Sequence, residues 1–161
     1  MERELNSQYK KIAELVNKMI PEPWEIIHLY AQISDTGGGV YFYYKSEQYE
    51  DYVYSLELTK LYNINKAEHD KNEYELYKLA KKLQAIFKEN DQEPWYSFTM
   101  SLQKNGKFKM HFDYTNWFDT EYSFSDQMTI WKYKYLDEKP QDMKLQQVIE
   151  KYLAEYPSNP I

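Results

Sequence analysis

The tripeptide Glu-Pro-Trp occurs twice, each time after a helix-like segment and before a strand–turn–strand pattern. No other feature constrains the fold as strongly. Glu22-Pro23-Trp24 opens a run from Trp24 to Ser34, a turn over Asp35-Thr36-Gly37-Gly38-Gly39, and a second run from Val40 to Lys45. Glu93-Pro94-Trp95 opens a run from Trp95 to Gln103, a turn at Lys104-Asn105-Gly106, and a second run from Lys107 to Thr115. Two helix–hairpin units in one chain are the direct reading.

The helices follow from periodicity. Tyr9, Ile12, Ala13, Val16, Met19 and Ile20 share one side of a helix over residues 2 to 20, with Lys10, Lys11, Glu14 and Lys18 on the other. Pro21 and Pro23 end it, because a proline disfavours helical geometry in the residue before it. Asn65, with Glu68 three places on, predicts the start of a second helix that runs to about Glu89. Leu76, Leu79, Ala80, Leu83, Ile86 and Phe87 form its apolar stripe, and Lys78, Lys81, Lys82 and Lys88 a basic outer side that reads as a solvated face.

In the first hairpin, Ile27, Leu29, Ala31 and Ile33 predict a core face, and Trp24, Ile26, His28, Tyr30 and Gln32 an amphipathic one. In the second, Tyr96, Phe98, Met100, Leu102, Phe108, Met110, Phe112 and Tyr114 predict the core face, opposite a polar set of Ser97, Thr99, Ser101, Lys107, Lys109, His111 and Asp113. That alternation predicts an antiparallel sheet covered on one side. A third strand is expected over Tyr52 to Leu58, an ordered loop over Asn116 to Gln127, and a short strand near Met128 to Tyr135. A last helix starts at Pro140, with Leu145, Val148, Ile149, Tyr152, Leu153 and Tyr156 as its stripe. The expectation is a single α+β domain over residues 1–161, a mostly antiparallel sheet with helices packed on it.

Several function classes are disfavoured by composition. The formal net charge of -6 argues against direct nucleic-acid or anionic-membrane binding and for a basic partner. Arg3 is the only arginine, so bidentate guanidinium clamps on phosphate are almost absent. There is no cysteine, which removes disulfides and thiolate metal sites. No apolar run is long enough to span a bilayer, and Met1-Glu2-Arg3-Glu4 does not resemble a signal peptide. A cytoplasmic location is expected. The glycine run at Gly37 to Gly39 leads into a strand and lacks Lys-Ser/Thr, so it reads as a turn and not a phosphate loop.

No catalytic set stands out. His28, His69 and His111 sit in no metal-ligating spacing, and there is no G-x-S-x-G elbow. His111 and Asp113, two apart on a strand, would be the sole acid/base pair, and polar residues on an open sheet face explain them as well. No carboxylate group has EF-hand-like spacing, so neither a metal nor a cofactor is expected.

The charge pattern is more informative. No Lys or Arg lies between Lys45 and Lys60, a stretch holding Glu47, Glu50, Asp51 and Glu57. None lies between Lys109 and Lys132, a stretch holding Asp113, Asp119, Glu121 and Asp126 among Trp117, Phe118, Tyr122, Phe124 and Trp131. Carboxylates among large aromatics can steer and anchor a basic protein surface. The same residues also suit a core with ordinary surface acids.

Pro23-Trp24-Glu25, the Gly37-Gly38-Gly39 turn before an aromatic strand, and Glu93-Pro94-Trp95 followed by Phe112-Asp113-Tyr114 and Trp117 together resemble the YezG-like immunity proteins over roughly residues 5 to 135. That resemblance implies a cytoplasmic antitoxin of Gram-positive bacteria, often encoded in tandem copies. It implies binding and neutralisation of a cognate nuclease toxin exported by type VII secretion, commonly one with an LXG-type N-terminal region, and no catalysis. Such a family brings no catalytic residue to transfer. The expected partner-binding residues are Asp113, Trp117, Asp119, Glu121 and Tyr122, with Glu47, Glu50 and Asp51 second. Trp24, Gly38, Pro94 and Trp95 are assigned to the fold. A protein- or peptide-binding adaptor unrelated to toxins, and a small enzyme using His111, remain open on the residues alone. The oligomeric state stays open too.

Overall fold

A computed structural model describes all residues, 1–161. The chain divides into two compact units, Met1–Phe112 and Asp113–Ile161. The architecture is α+β, with helices packed on a five-stranded antiparallel sheet in which β1 (Trp24–Ser34), β2 (Gly37–Ser46), β3 (Val53–Tyr54), β4 (Ser97–Gln103) and β5 (Phe108–Asp113) lie in the order β3-β2-β1-β4-β5.

In the first unit, helix α1 (Glu2–Met19) buries Gln8, Ile12, Val16 and Met19, and Ile20 turns extended ahead of Pro21. Strand β1 (Trp24–Ser34) pairs with β2 (Gly37–Ser46), and helix α3 (Lys66–Glu89) leads to β4 (Ser97–Gln103) and β5 (Phe108–Asp113). The two hairpins meet through β1 and β4, which pair antiparallel from Ile26↔Gln103 to Gln32↔Ser97. Leu29 faces Met100 in that register. These two residues are as far apart in sequence as Trp24 and Trp95, so the repeat folds about a local two-fold axis through the centre of the sheet.

Helices α1 and α3 pack together above the core face, where Gln8 Nε2 donates to the Leu79 carbonyl at 2.8 Å. Gln84 of α3 donates to the Trp95 carbonyl at 2.7 Å and the Ile33 carbonyl at 3.4 Å, clipping the helix to the end of β1 and the approach to β4. Trp95, Phe98, Phe112 and Phe87 pack ring against ring between sheet and helix. Asn65 caps α3, its side chain accepting from Glu68 N at 3.1 Å.

Four expectations from sequence change. On the polar face of the second hairpin, expected to be open, Ser97 and Thr99 are buried, as are His28, Tyr30 and Gln32 on the amphipathic face of the first. Phe108 and Tyr114, expected in the core, are 46% and 44% exposed because they flank the edge strand. Strand β3 is only Val53–Tyr54. The chain then turns through a 3-10 segment, Ser55–Glu57, into the short helix α2 (Leu58–Leu61). The glycine turn is also shorter than read. Asp35 and Thr36 alone connect the strands, and Gly37 already pairs with Ser34.

The second unit holds helices α4 (Phe124–Tyr135) and α5 (Met143–Glu155). The strand expected near Met128 to Tyr135 is therefore the body of α4. Ser123 and Asp126 form a reciprocal capping box at its start, and the buried residues Gln127, Ile130 and Trp131 fall at helical spacing. Helix α5 begins three residues after Pro140, where Asp142 accepts from Lys144 N at 2.8 Å. Of its expected stripe, Ile149 and Tyr152 are buried, while Leu145 and Leu153 are more than a third exposed.

Candidate functional site

Two acidic, aromatic segments carry the candidate surface, one in each unit. In the first, Ser46 ends β2 and its hydroxyl accepts from the N–H groups of Gln48 and Tyr49, both at 3.1 Å. This turn displays Glu47, Gln48, Tyr49, Glu50 and Asp51, all exposed. Glu47 lies 3.5 Å from Lys104, whereas Glu50, Asp51 and Glu57 have no ion-pair partner. The segment is anchored on both sides. Tyr54 of β3 stacks on Tyr43 with ring centroids 4.5 Å apart, and Ser55 Oγ accepts from Phe42 N at 3.3 Å. After α2, Tyr62 donates its hydroxyl to Glu22 Oε2, which also accepts from Tyr44 at 2.6 Å. Burial, followed by the Glu22 carboxylate, pushes the Tyr44 and Tyr62 phenols above their usual range, so both stay protonated donors.

The second segment is sorted by burial. Asp113, Trp117 and Tyr122, expected to touch a partner, are 3%, 1% and 7% exposed. Asp113 Oδ1 accepts from Thr115 N at 2.9 Å, and its Oδ2 accepts from the Trp117 indole N–H at 2.7 Å. Trp117 packs against Tyr122, Tyr152 and Tyr156. Tyr122 donates to Glu155 at 3.0 Å, and burial together with that carboxylate pushes its phenol up to about 12. The side chains of these three residues pack within the second unit. The accessible members are Asp119 and Glu121, and Phe118 between Trp117 and Asp119 is 62% exposed. The loop is built to hold that shape. Asn116 caps the 3-10 turn Trp117–Asp119 and donates to Asp119 Oδ2 at 2.9 Å, and Thr120 Oγ1 donates to the Trp117 carbonyl at 2.7 Å. Glu121 lies 3.0 Å from Lys151 with its side chain largely in solvent.

The histidines lie on three different elements. His28 on β1 is hydrogen-bonded to Ser101 at 2.7 Å, and burial lowers it to about 4, so it is neutral at pH 7. His69 on α3 is buried 2.8 Å from a Glu73 oxygen, a close approach that falls short of hydrogen-bond geometry. His111 is half-buried on β5. Asp113 is a structural acceptor, with one oxygen serving the Thr115 amide and the other the Trp117 indole. No three His, Asp or Glu side chains converge in a metal-ligating group, and no helix is long and apolar enough to cross a membrane. On α3, Lys78 and Lys82 pair with Glu75 and Glu89, at 2.9 and 3.6 Å.

A family model described as "Immunity protein YezG-like" matches residues 5–150, most of the chain. This chain belongs to the YezG-like immunity protein family. Its similarity to the type VII secretion system protein EsaG of Staphylococcus aureus is 33% identity over 157 residues, covering 96% of both chains. It is 29% identical to the immunity protein YezG of Bacillus spizizenii over 90% of each chain. It is 28% identical to the immunity protein YezG of Bacillus subtilis over 91% of this chain and 97% of that one. Family membership supports an immunity role, which implies a toxin as partner. For a YezG-like protein the accessible acids are the informative part of the surface. Burial, which sequence reasoning missed, selects Asp119, Glu121, Glu47, Glu50 and Asp51 from the expected set. The neighbouring aromatics Trp117 and Phe118, both within the capped 3-10 turn, differ most, the first buried and the second exposed.

Proposed function

We propose that this chain is a cytoplasmic antitoxin that binds and neutralises a cognate secreted nuclease toxin by covering its basic nucleic-acid-binding cleft, without catalysis. The observation that carries the reading is the display of carboxylates on two lysine- and arginine-free segments that turns and caps hold in place. An acidic inhibitor presents a nuclease with charge of the sign of its substrate. Steering by the net charge of -6 speeds encounter with a basic cleft. Rigid loops lose little entropy when they dock, so more of the contact energy becomes affinity. The relative named as a type VII secretion system protein supports export as the toxin's route. In the second unit Asp119 and Glu121 contact the toxin, supported from beneath by Asp113, Trp117 and Tyr122; in the first unit the contacting residues are Glu47, Glu50 and Asp51.

The test is co-purification with the nuclease domain encoded beside this gene, and a DNA-cleavage assay at rising antitoxin ratios. Loss of cleavage at stoichiometric antitoxin, with a stable complex, is the expected result. Undiminished cleavage with no complex overturns the proposal for that toxin.

A further inference from the structure

Strand β3 and the segments on either side of it enclose a cleft of about 270 Å³. The loop before β3 contributes Tyr49, Asp51 and Tyr52, β3 contributes Tyr54, the 3-10 segment after it Glu57, and helix α2 Leu61. We propose that this cleft is a receptor for a single arginine side chain of the partner protein, an inference that rests on the antitoxin reading.

Four observations select that occupant. First, the cleft of about 270 Å³ has room for one long side chain and lies just below the roughly 300–1,000 Å³ of small-molecule sites. Second, its two carboxylates, Asp51 and Glu57, have no ion-pair partner in this chain, and no Lys or Arg lies between Lys45 and Lys60 to supply one. A neutral occupant leaves that charge unanswered and an anionic one is repelled. Third, the remaining lining is aromatic and aliphatic, with Tyr49 and Leu61 46% and 50% exposed. Such surfaces lose water when the stem of a long side chain lies on them. Fourth, tyrosine faces attract cations, and guanidinium is favoured over ammonium because it is planar, stacks on rings and bridges carboxylates with two donors. Tyr54 cannot swing away from the cleft, since its ring is stacked on Tyr43 and β3 is paired with β2. Immobile walls favour one geometry of entry.

The test uses the full chain. The double variant Asp51→Asn with Glu57→Gln keeps size and removes charge at exposed positions. A control, Glu14→Gln with Glu75→Gln on α1 and α3, removes the same charge elsewhere. By calorimetry with the toxin nuclease domain, the cleft variant is expected to bind at least about tenfold more weakly and the control within about twofold of the unaltered protein. Equal weakening by both pairs, or none by the cleft pair, overturns the arginine receptor while leaving the antitoxin reading standing. A second arm needs no toxin. N-acetyl-arginine amide titrated into isotope-labelled protein should shift Tyr49, Tyr54 and Leu61 resonances, the lysine analogue less so, and the cleft variant not at all. Absence of a saturable shift at those residues overturns the proposal. Shifts there with no toxin complex would sustain the cleft and sink the antitoxin reading instead.

Discussion

Gly38 admits no side chain, because a Cβ there would stand 1.9 Å from the Gln32 carbonyl oxygen across the hairpin, at a φ of 157° that other residues rarely adopt. Its neighbour Gly39 is a milder case, where the obstacle is the far end of the Tyr41 side chain and not backbone. Gly38→Ala should therefore cost at least about 2 kcal/mol in denaturant unfolding, and clearly more than Gly39→Ala. Equal losses would show that the close approach is not the cause. Asp113 makes a second residue-scale case. Asp113→Ala strands the buried Trp117 indole N–H and the Thr115 amide, which predicts a loss of about 2–4 kcal/mol. Removing the indole donor with Trp117 in a double-mutant cycle should recover part of it. His28 predicts a pH dependence. Burial lowers it from 6.5 to about 4, so above pH 6.5 neither folded nor unfolded protein is charged there. Between pH 6.5 and about 4 the unfolded chain takes up a proton that the folded one refuses. Stability should fall across that window by up to about 3 kcal/mol, a slope that His28→Gln flattens.

At the scale of elements, most of the first unit was legible because its signals are local and redundant. The Glu-Pro-Trp repeat marked both hairpins, prolines stopped α1, and Asn65 announced α3. The failures have physical causes. Helix α4 was read as a strand because Met128, Tyr133 and Tyr135 spread apolar bulk around its sides and blur the stripe of Gln127, Ile130 and Trp131. Its start was written in the sequence as Ser123-Phe124-Ser125-Asp126, a capping box with Asp in the place usually held by Glu or Gln. Ser123→Ala should thus lower stability by about 1 kcal/mol in denaturant unfolding, and Asp126→Ala should add little once Ser123 is gone, because the two bonds act as one device. Alternation reported which residues share a sheet face. It could not report that Ser97 and Thr99 on the polar face are buried too, since that depends on contacts distant in sequence. The same limit applies to the candidate site: charge was readable by position, but exposure of Phe118 and burial of Trp117 depend on a turn whose cap is a single asparagine.

At the scale of the molecule, the two acidic segments lie in different units, and their accessible carboxylates make a kinetic prediction. If long-range attraction brings toxin and antitoxin together, association should slow steeply as salt rises while dissociation changes little, because exposed charges are screened over about 8–10 Å at physiological ionic strength. Reversing Asp119 and Glu121 to lysine should slow association by about tenfold at low salt and much less at high salt. Folding stability should barely change. Both side chains are exposed, and the interactions lost, the Glu121–Lys151 ion pair and the Asn116–Asp119 hydrogen bond, both lie at the solvent-exposed surface. Reversing Glu50 and Asp51 makes the matching change in the first unit, where neither carboxylate has an ion-pair partner. Charges that only steer act through the net field, so the two reversals should then slow association equally and leave dissociation alone. A carboxylate that is desolvated against the toxin acts on dissociation as well, since its removal leaves a partner cation buried and unpaired. Stopped-flow association and dissociation rates for the two double variants therefore separate steering from contact. A segment whose reversal quickens dissociation touches the toxin, whereas one that alters only association lies outside the interface.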